Sequence, residues 1–311
     1  MVSFLAPQVS VVGSIHMDFF ILMDHLPVPG ETVLGKSFTM QPGGKGANQA
    51  VAAARLGAKT YMVGRVGGDI FAEEVLNNFR RNGVDVSYVR RDPETHTGVA
   101  FIFVDSRGEN MIAVAPGADA RVSTHDVDSA IDVISSSDVL MLQLEIPIET
   151  VVYAAKVAWE HNVKVVLNPA PARTLPEKIY GYIHVLTPNR IEAQMLSGVR
   201  TESREDIVKA AHVLMDKGVE NVVITLGAEG ALLVSEEGVY HIPAFKVRPV
   251  DTTGAGDAFN AALAVAIAEG RSLREAVRLA NAAAAIKITR VGAQAGLPYR
   301  RDLEEFLKDV R

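Results

Sequence analysis

The chain has 311 residues, 48% hydrophobic and 22% charged, with a formal net charge of −6. That length allows one large domain or two, and the acidic balance argues against a nucleic-acid partner. Cysteine is absent, which excludes disulfides and thiolate metal sites, and the eight histidines show no metal-ligand spacing. No apolar stretch approaches the ~20 residues of a membrane span. Met1–Gln8 has neither a basic region nor a long apolar core, so no signal peptide and a cytoplasmic location are expected.

In chain order, Val9–Val12 is a short β-branched run ending at Gly13 and reads as a buried strand. Phe19–Met23 is apolar again, Pro27, Pro29 and Gly30 break the chain, and Thr32–Gln41 alternates like a strand. These pieces are expected as antiparallel strands outside the main sheet. Gly43-Gly-Lys-Gly-Ala-Asn48 then runs into an alanine-rich helix over Gln49–Leu56, with Gly57 as its C′ residue. A glycine-rich turn opening a helix binds anions or hydroxyls in principle, and neither Lys45 nor Asn48 is needed for a turn.

Tyr61–Val66 reads as a strand and Asp69–Asn82 as an amphipathic helix closed by Gly83. Thr97–Asp105 and Glu109–Ala115 flank Ser-Arg-Gly as a hairpin of the same small sheet. From about Asp126, helices and strands alternate, with strands at Val139–Leu144, Val163–Leu167, Val185–Leu186 and Asn221–Thr225. Such alternation predicts a parallel sheet with helices on both faces. Ser272–Arg290 reads as one long helix and Arg301–Val310 as a terminal one.

Val247–Val250 reads as a short strand leading into Asp251-Thr-Thr-Gly-Ala-Gly-Asp257. Gly254 and Gly256 permit a tight turn. The amides of Gly254, Ala255 and Gly256 are expected as unpaired donors at a helix N-terminus, a site for phosphate. Asp257 beside them is placed to take a proton from a hydroxyl that attacks phosphorus. An ordinary loop with Asp257 as a helix cap would carry the same residues. Phe259 stands where a dinucleotide fingerprint needs its third glycine, and Gly44-Lys45 is followed by glycine, so neither a Rossmann nor a Walker motif is present.

In parallel sheets ligands sit beyond the carboxyl ends of the strands. Glu145, Asn168, Asn189, Glu192, the Thr225–Gly230 turn and Asp251–Asp257 all fall at such ends. Several glycine-rich or carboxamide-bearing ends on one edge point to a site for a phosphorylated ligand.

With these residues assembled, the sequence resembles the ribokinase-like (PfkB) carbohydrate kinase family from Val11 to about Pro298. The resemblance rests on Gly43-Gly-Lys-Gly-Ala-Asn-Gln, Gln143-Leu-Glu, Leu167-Asn-Pro-Ala-Pro-Ala, Thr187-Pro-Asn, Thr225-Leu-Gly and Val250-Asp-Thr-Thr-Gly-Ala-Gly-Asp. It implies an α/β three-layer sandwich over residues 1–311, with a discontinuous β lid from about 16–42 and 97–115. It also implies transfer of the γ-phosphate of ATP to the 5-hydroxyl of a pentose, D-ribose first, with magnesium and a potassium activator.

By that match Asp257 is the catalytic base, and Gly254, Ala255 and Gly256 form the anion hole. His16, Asp18, Gly44, Lys45, Asn48 and Glu145, with Asp257, bind sugar. Asn189, Thr225, Leu226, Gly227, Ala228, Glu229, Gly230, Gly256 and Asn281 bind nucleotide, and Glu192 places magnesium through water. Asp251, Thr253, Lys287, Arg290, Gly292 and Gly296 hold potassium.

His16 departs from the family's usual asparagine against the sugar. Gly296 stands where some relatives offer a serine hydroxyl to potassium. Lys287 is expected to contribute only its backbone carbonyl.

Other acceptors stay open, among them a nucleoside, deoxyribose and fructose, as does a non-catalytic sugar or nucleotide sensor. A glycosidase-like pair of Glu145 and Asp257 would leave the glycine cradle without use. Val99, Phe101 and Phe103 alternate on one face of the lid hairpin, which predicts a homodimer built lid against lid.

Overall fold

In the computed structural model, which describes residues 6–309, the short β-branched and apolar runs become strands. In chain order they are β1 (Gln8–Val12), β2 (His16–Leu22), β3 (Ser37–Gly43), β4 (Lys59–Gly67), β5 (Val84–Asp92), β6 (Gly98–Val104) and β7 (Asn110–Ala115). There follow β8 (Val139–Leu142), β9 (Lys164–Leu167), β10 (Val185–Leu186), β11 (Asn221–Thr225), β12 (Ala231–Ser235) and β13 (Gly238–Ile242). They build a nine-stranded sheet, ordered β13-β12-β11-β10-β9-β8-β1-β4-β5, and a four-stranded sheet, ordered β3-β2-β6-β7.

The large sheet is parallel except for its last two pairings, β11 with β12 and β12 with β13. Alternate residues of a strand point to opposite faces, and here both faces are apolar. Val139 and Met141 of β8 pack into one core, Leu140 and Leu142 into the other. Helices Lys45–Arg55, Ile70–Arg81, Ala255–Ala268, Leu273–Ile288 and Arg300–Asp309 cover the first core. Helices Thr124–Ser129, Ile148–Glu160, Arg190–Ser197 and Arg204–Asp216 cover the second. The result is the three-layer α/β sandwich expected, and it explains why the central strands read as unbroken apolar runs.

Strand β1 pairs with β8 on one side and β4 on the other. The strand order reverses there, which opens a crevice at the carboxyl ends of β1 and β8. The chain leaves β1 at that crevice, enters the small sheet through β2 and β3, and returns in helix Lys45–Arg55. The small sheet is therefore hinged on the mouth of the switch point.

Several elements differ from expectation. Residues 32–36 form no strand; β3 begins at Ser37. The first helix starts at Lys45, inside the glycine-rich turn. β2 pairs antiparallel with β3 but parallel with β6, as the crossover from one lid segment to the other requires. β5, β12 and β13 are additional: β5 is a part-exposed edge strand with charged residues, and Ala-Leu-Leu-Val in β12 has no period that separates strand from buried helix. Val247–Val250 is not a strand. Pro249 lacks a donor, and the Val250 amide goes to the Ile288 carbonyl at 2.7 Å, tying this stretch to a helix end. Most of Met1–Gln8, and Val310 of the terminal helix, lie outside the described residues.

Candidate active site at the carboxyl edge of the sheet

Two of the helices that begin at this edge start in glycine-rich turns, and those turns differ. Helix Lys45–Arg55 has its early donors taken up internally. The Lys45 amide donates to Glu145 Oε2 at 2.9 Å, that of Gly46 to Ser14 Oγ at 3.2 Å and that of Ala47 to the Ser14 carbonyl at 2.9 Å. Ser14 Oγ in turn donates to Glu145 Oε2 at 2.5 Å. This turn is thus closed to anions, against the simplest reading of its glycines, and serves to lock β1, β8 and the helix together. Gly44 has φ 89° and ψ 136°, and a Cβ there would stand 2.9 Å from the His16 nitrogen. Only glycine fits that crossing.

Helix Ala255–Ala268 begins differently. Gly254 caps it in the left-handed region, φ 79°, with no side-chain cap. The Ala255 amide donates to the Thr252 carbonyl at 3.1 Å, so it is not the free donor expected. The amides of Gly254, Gly256 and Asp257 have no partner among the described residues. Those donors, at the positive end of a fourteen-residue helix, form an open anion cradle.

Asp257 joins the two helix starts. Its Oδ2 accepts from Asn48 Nδ2 at 2.8 Å and its Oδ1 from Gln49 Nε2 at 3.1 Å. Gln49 is itself held by Gln143, whose Nε2 donates to Gln49 Oε1 at 2.6 Å, and it also reaches Asn168 Oδ1 at 3.3 Å. Burial raises the Asp257 pKa, with Lys45, Asn48 and Gln49 acting against it. A second link lies one turn along: Asn260 Nδ2 donates to the Gly256 carbonyl at 2.8 Å, and Thr187 Oγ1 to Asn260 Oδ1 at 2.5 Å. The cradle is fixed to the ends of β8, β9 and β10 by buried carboxamides.

Lys45 sits among carboxylates. Burial works against its charge, but Asp257, Glu145, Glu192 and Asp18 outweigh it and raise the pKa. Asp18 on β2 is buried, and burial together with Glu145 and Asp257 lifts its pKa to about 6 against His16 and Lys45. Asp18 Oδ1 and Asn48 Oδ1 are buried acceptors without a hydrogen-bond partner among the described residues. Buried polar atoms are rarely left so, and two acceptors in this mouth suit the hydroxyls of a polyol.

His16 does not stand alone there. Its Nε2 lies 2.8 Å from Asp119 Oδ2, both side chains buried, and Asp119 Oδ1 accepts the Ile15 amide at 2.9 Å. Burial alone would lower the His16 pKa; the hydrogen bond and charge of Asp119, with Glu145 and Asp18, hold it up at about 9. The departure at position 16 is therefore met by a buried carboxylate, which favours the protonated imidazole.

The residues expected at the nucleotide lie around the ends of β10, β11 and β13. Asn189 and Glu192 form a reciprocal capping box for helix Arg190–Ser197, at 2.8 and 2.9 Å, and Asn189 bridges to Thr225. Burial raises the Glu192 pKa. Leu226, Gly227, Ala228, Glu229 and Gly230 make a tight turn closed by the Leu226 amide on the Gly230 carbonyl at 2.8 Å. Glu229 pairs with Arg190. Asn281 Nδ2 donates to the carbonyls of Ile242 and Pro243 at 3.0 and 3.2 Å, which ties helix Leu273–Ile288 to the end of β13.

The expected potassium set departs most. Asp251, Thr253, Arg290, Gly292 and Gly296 do come together, with Asp251 accepting the amides of Thr253 and Gly292 at 2.9 and 2.8 Å. But Lys287 contributes its side chain: Nζ donates to the carbonyls of Asp251 and Arg290 at 2.9 and 3.2 Å. The ammonium fills the space among those oxygens, so these residues do not fit a free potassium ion.

Ser14, Gln49, Gln143, Asn260 and Asp119 were not anticipated as functional. The first four lie within or beside the motifs, and polar residues next to alanine-rich or apolar runs are the signal that finds them. Asp119 carries no such signal. It lies in a short 3-10 turn, Gly117–Arg121, more than a hundred residues from its partner His16.

A buried carboxylate at an open anion cradle, facing polar groups suited to hydroxyls across a strand-order switch point, defines a carbohydrate kinase. The family model "pfkB family carbohydrate kinase" matches residues 6–300, and the chain belongs to that family. Within it, the chain is 43% identical over 300 residues to the ribokinase of Haemophilus influenzae, covering 96% of this chain and 98% of that one. It is 37% identical over 301 residues to the deoxyribokinase of Salmonella typhi, at 96% and 98% coverage. Among solved structures it matches the ribokinase of Arabidopsis thaliana complexed with ribose and ATP, with TM-score 0.91, 33% identity, and 98% and 99% of the two chains covered.

Proposed function

We propose that this chain transfers the γ-phosphate of ATP to the 5-hydroxyl of D-ribose. The observation that carries the reading is the place of Asp257: it lies in the first turn of the cradle's own helix, and its carboxylate accepts from Asn48 and Gln49 of the other glycine-rich helix start. Asp257 takes the hydroxyl proton as the new oxygen–phosphorus bond forms, the bond to the ADP oxygen breaks, and ADP leaves. A carboxylate whose pKa is raised by burial is a better base near neutral pH. The free amides of Gly254, Gly256 and Asp257 hold the charge that develops on the phosphoryl oxygens. Asp18, Gly44, Lys45, Asn48, Glu145 and His16 line the sugar side, and the strands of the small sheet act as a lid that keeps water from competing.

The nucleotide side is formed by Asn189, Asn281 and the Thr225–Gly230 turn. Magnesium, when bound with ATP, would neutralise phosphate charge, and Glu192 is the residue that would help hold it. No cluster of three or more metal-ligating side chains occurs among the described residues. A cytoplasmic location is part of the same proposal; among the described residues no helix is long and apolar enough to cross a membrane. We also propose a homodimer built through the lid, argued below.

The His16–Asp119 pair supports a second reading, in which a different sugar or a nucleoside is preferred, since a charged imidazolium replaces an amide beside the acceptor. A substrate panel with purified protein and ATP decides. Ribose is expected to lead deoxyribose, fructose and adenosine in kcat/KM by at least about tenfold, the range that one lost hydrogen bond commands. A lead for any of the others overturns the choice of ribose. Sugar binding with no ADP release from any of them makes the protein a sensor.

A further inference from the structure

Lys287 lies in the last turn of helix Leu273–Ile288, and its side chain is 0% exposed. Its Nζ meets the Asp251 carbonyl at 2.9 Å, the Arg290 carbonyl at 3.2 Å and Asp251 Oδ2 at 3.7 Å. All three are acceptors, and the helix's negative end adds to them. Carbonyls and a single carboxylate are the ligand set of a weakly held monovalent cation. Here a covalently attached ammonium stands in it.

Gly296 belongs to the same arrangement. A Cβ at that position would lie 3.1 Å from Lys287 Cε, 2.9 Å from the Gly292 carbonyl oxygen and 3.1 Å from that of Arg290. A side chain at 296 and an extended lysine at 287 compete for one space. The glycine at 296 and the lysine at 287 are thus one change in physical terms: the hydroxyl is given up and an amine takes the room.

The consequence reaches the cradle by a short path. Asp251 stands three residues before Gly254, and its carboxylate accepts the Thr253 amide at 2.9 Å and the Gly292 amide at 2.8 Å. Whatever holds the Asp251 carbonyl and carboxylate sets the turn that presents the free amides of Gly254, Gly256 and Asp257.

We propose that Lys287 is a positioning residue that serves as a tethered monovalent cation, so that the cradle is set without potassium. A tethered ammonium is always in place, whereas a free ion must be captured and loses its freedom each time.

The proposal uses the kinase reading only for its turnover assay, and thermal melting tests it separately. The protein is melted, and assayed with ribose and ATP, in tetramethylammonium, sodium and potassium chloride at equal ionic strength. Turnover is expected to vary by less than about twofold and the melting temperature to be the same in potassium as in sodium. In Lys287→Ala, kcat is expected to fall by about tenfold to a hundredfold, the cost of a small misplacement of reacting groups, with the KM for ATP nearly unchanged. Potassium or methylammonium should then restore kcat severalfold and raise the variant's melting temperature.

Potassium activation of the unmodified protein severalfold, or a potassium-dependent rise in its melting temperature, overturns the proposal. So does a folded Lys287→Ala that neither cation restores, which would reduce Lys287 to packing. Where the variant fails to fold, the unmodified protein's response to potassium decides. Where no sugar is phosphorylated, the melting comparison alone decides, and only the kinase reading has failed.

Discussion

Asp257 is a base because of its neighbours. Two carboxamides hold its oxygens, and burial raises its pKa while Lys45 and those carboxamides oppose the shift. Asp18 shares the same mouth, with a pKa lifted to about 6 by burial and by Glu145 and Asp257. A raised carboxylate pKa means protonation as pH falls through that value, which removes the charge that attracts sugar hydroxyls. The KM for sugar is therefore expected to rise severalfold as pH falls from 7.5 to 5, in steady-state kinetics across that range, while Asp18→Asn shows a flat and uniformly high KM. An unchanged KM profile in the unmodified enzyme would remove Asp18 from the sugar contacts. Residues of this kind were legible where they sat inside a motif at a strand end, as Asn48, Glu145 and Asp257 did. Gln49 and Gln143 lay in the same motifs, but their role, holding a carboxylate through a chain of amides, depends on a fold that joins positions 49, 143 and 257. Asp119 was not legible at all, since nothing local marks a 3-10 turn as the partner of a distant histidine.

At the scale of elements, the two glycine-rich helix starts looked alike in sequence and perform different tasks. The turn at Gly44 closes on Ser14 and Glu145 and fixes the switch point; the turn at Gly254 leaves amides open. No spacing rule separates them, because the difference lies in which acceptors the rest of the fold delivers. The Gly44 turn makes a sharp prediction. A side chain there meets the His16 nitrogen and the Ser14 carbonyl oxygen at 2.9 and 3.0 Å, in a backbone region nearly closed to L residues. Gly44→Ala should lose at least about 2 kcal/mol of stability in denaturant unfolding, along with most sugar binding. A variant as stable as the parent would mean that this crossing is looser than described. Helix boundaries were readable to within a few residues because caps are local: Asp69, Ser272 and Gly57 stand where they were expected. Strands β5, β12 and β13 escaped because edge strands and short apolar runs carry little period of their own. Val247–Val250 reads like a strand, but its Val250 amide goes to a helix end rather than to a neighbouring strand.

For the whole molecule, the parallel sheet followed from alternation, and the separate small sheet from strands that no helix accompanies. The lid's surface is the part where the expectation changed most. Phe101 stacks on Phe19 at 5.1 Å, and Phe19 meets Phe71 of helix Ile70–Arg81 edge-on at 5.3 Å, so the face carrying Phe101 is partly packed on the body. Apolar exposure occurs on both faces: Met40 and Phe38 on that side, at 54% and 57%, and Ile112 and Val114 on the other, at 49% or more. Apolar surface on this scale in a thin sheet argues for a partner, and a second lid offers matching chemistry. Light scattering at micromolar concentration should give the mass of a dimer for the parent and of a monomer for Ile112→Lys. A monomeric parent would contradict the lid interface while leaving the active site untouched.

The most direct test of the account is single-turnover phosphorylation of ribose by Asp257→Asn, with ATP affinity measured in parallel. Loss of the base should slow phosphate transfer by about 10²–10⁴-fold, while ATP binds within about threefold of the parent, because the cradle amides and the nucleotide turn are intact. Transfer at a rate near the parent's would contradict the account, since the one carboxylate that joins the sugar side to the phosphate cradle would then have no part in the chemistry.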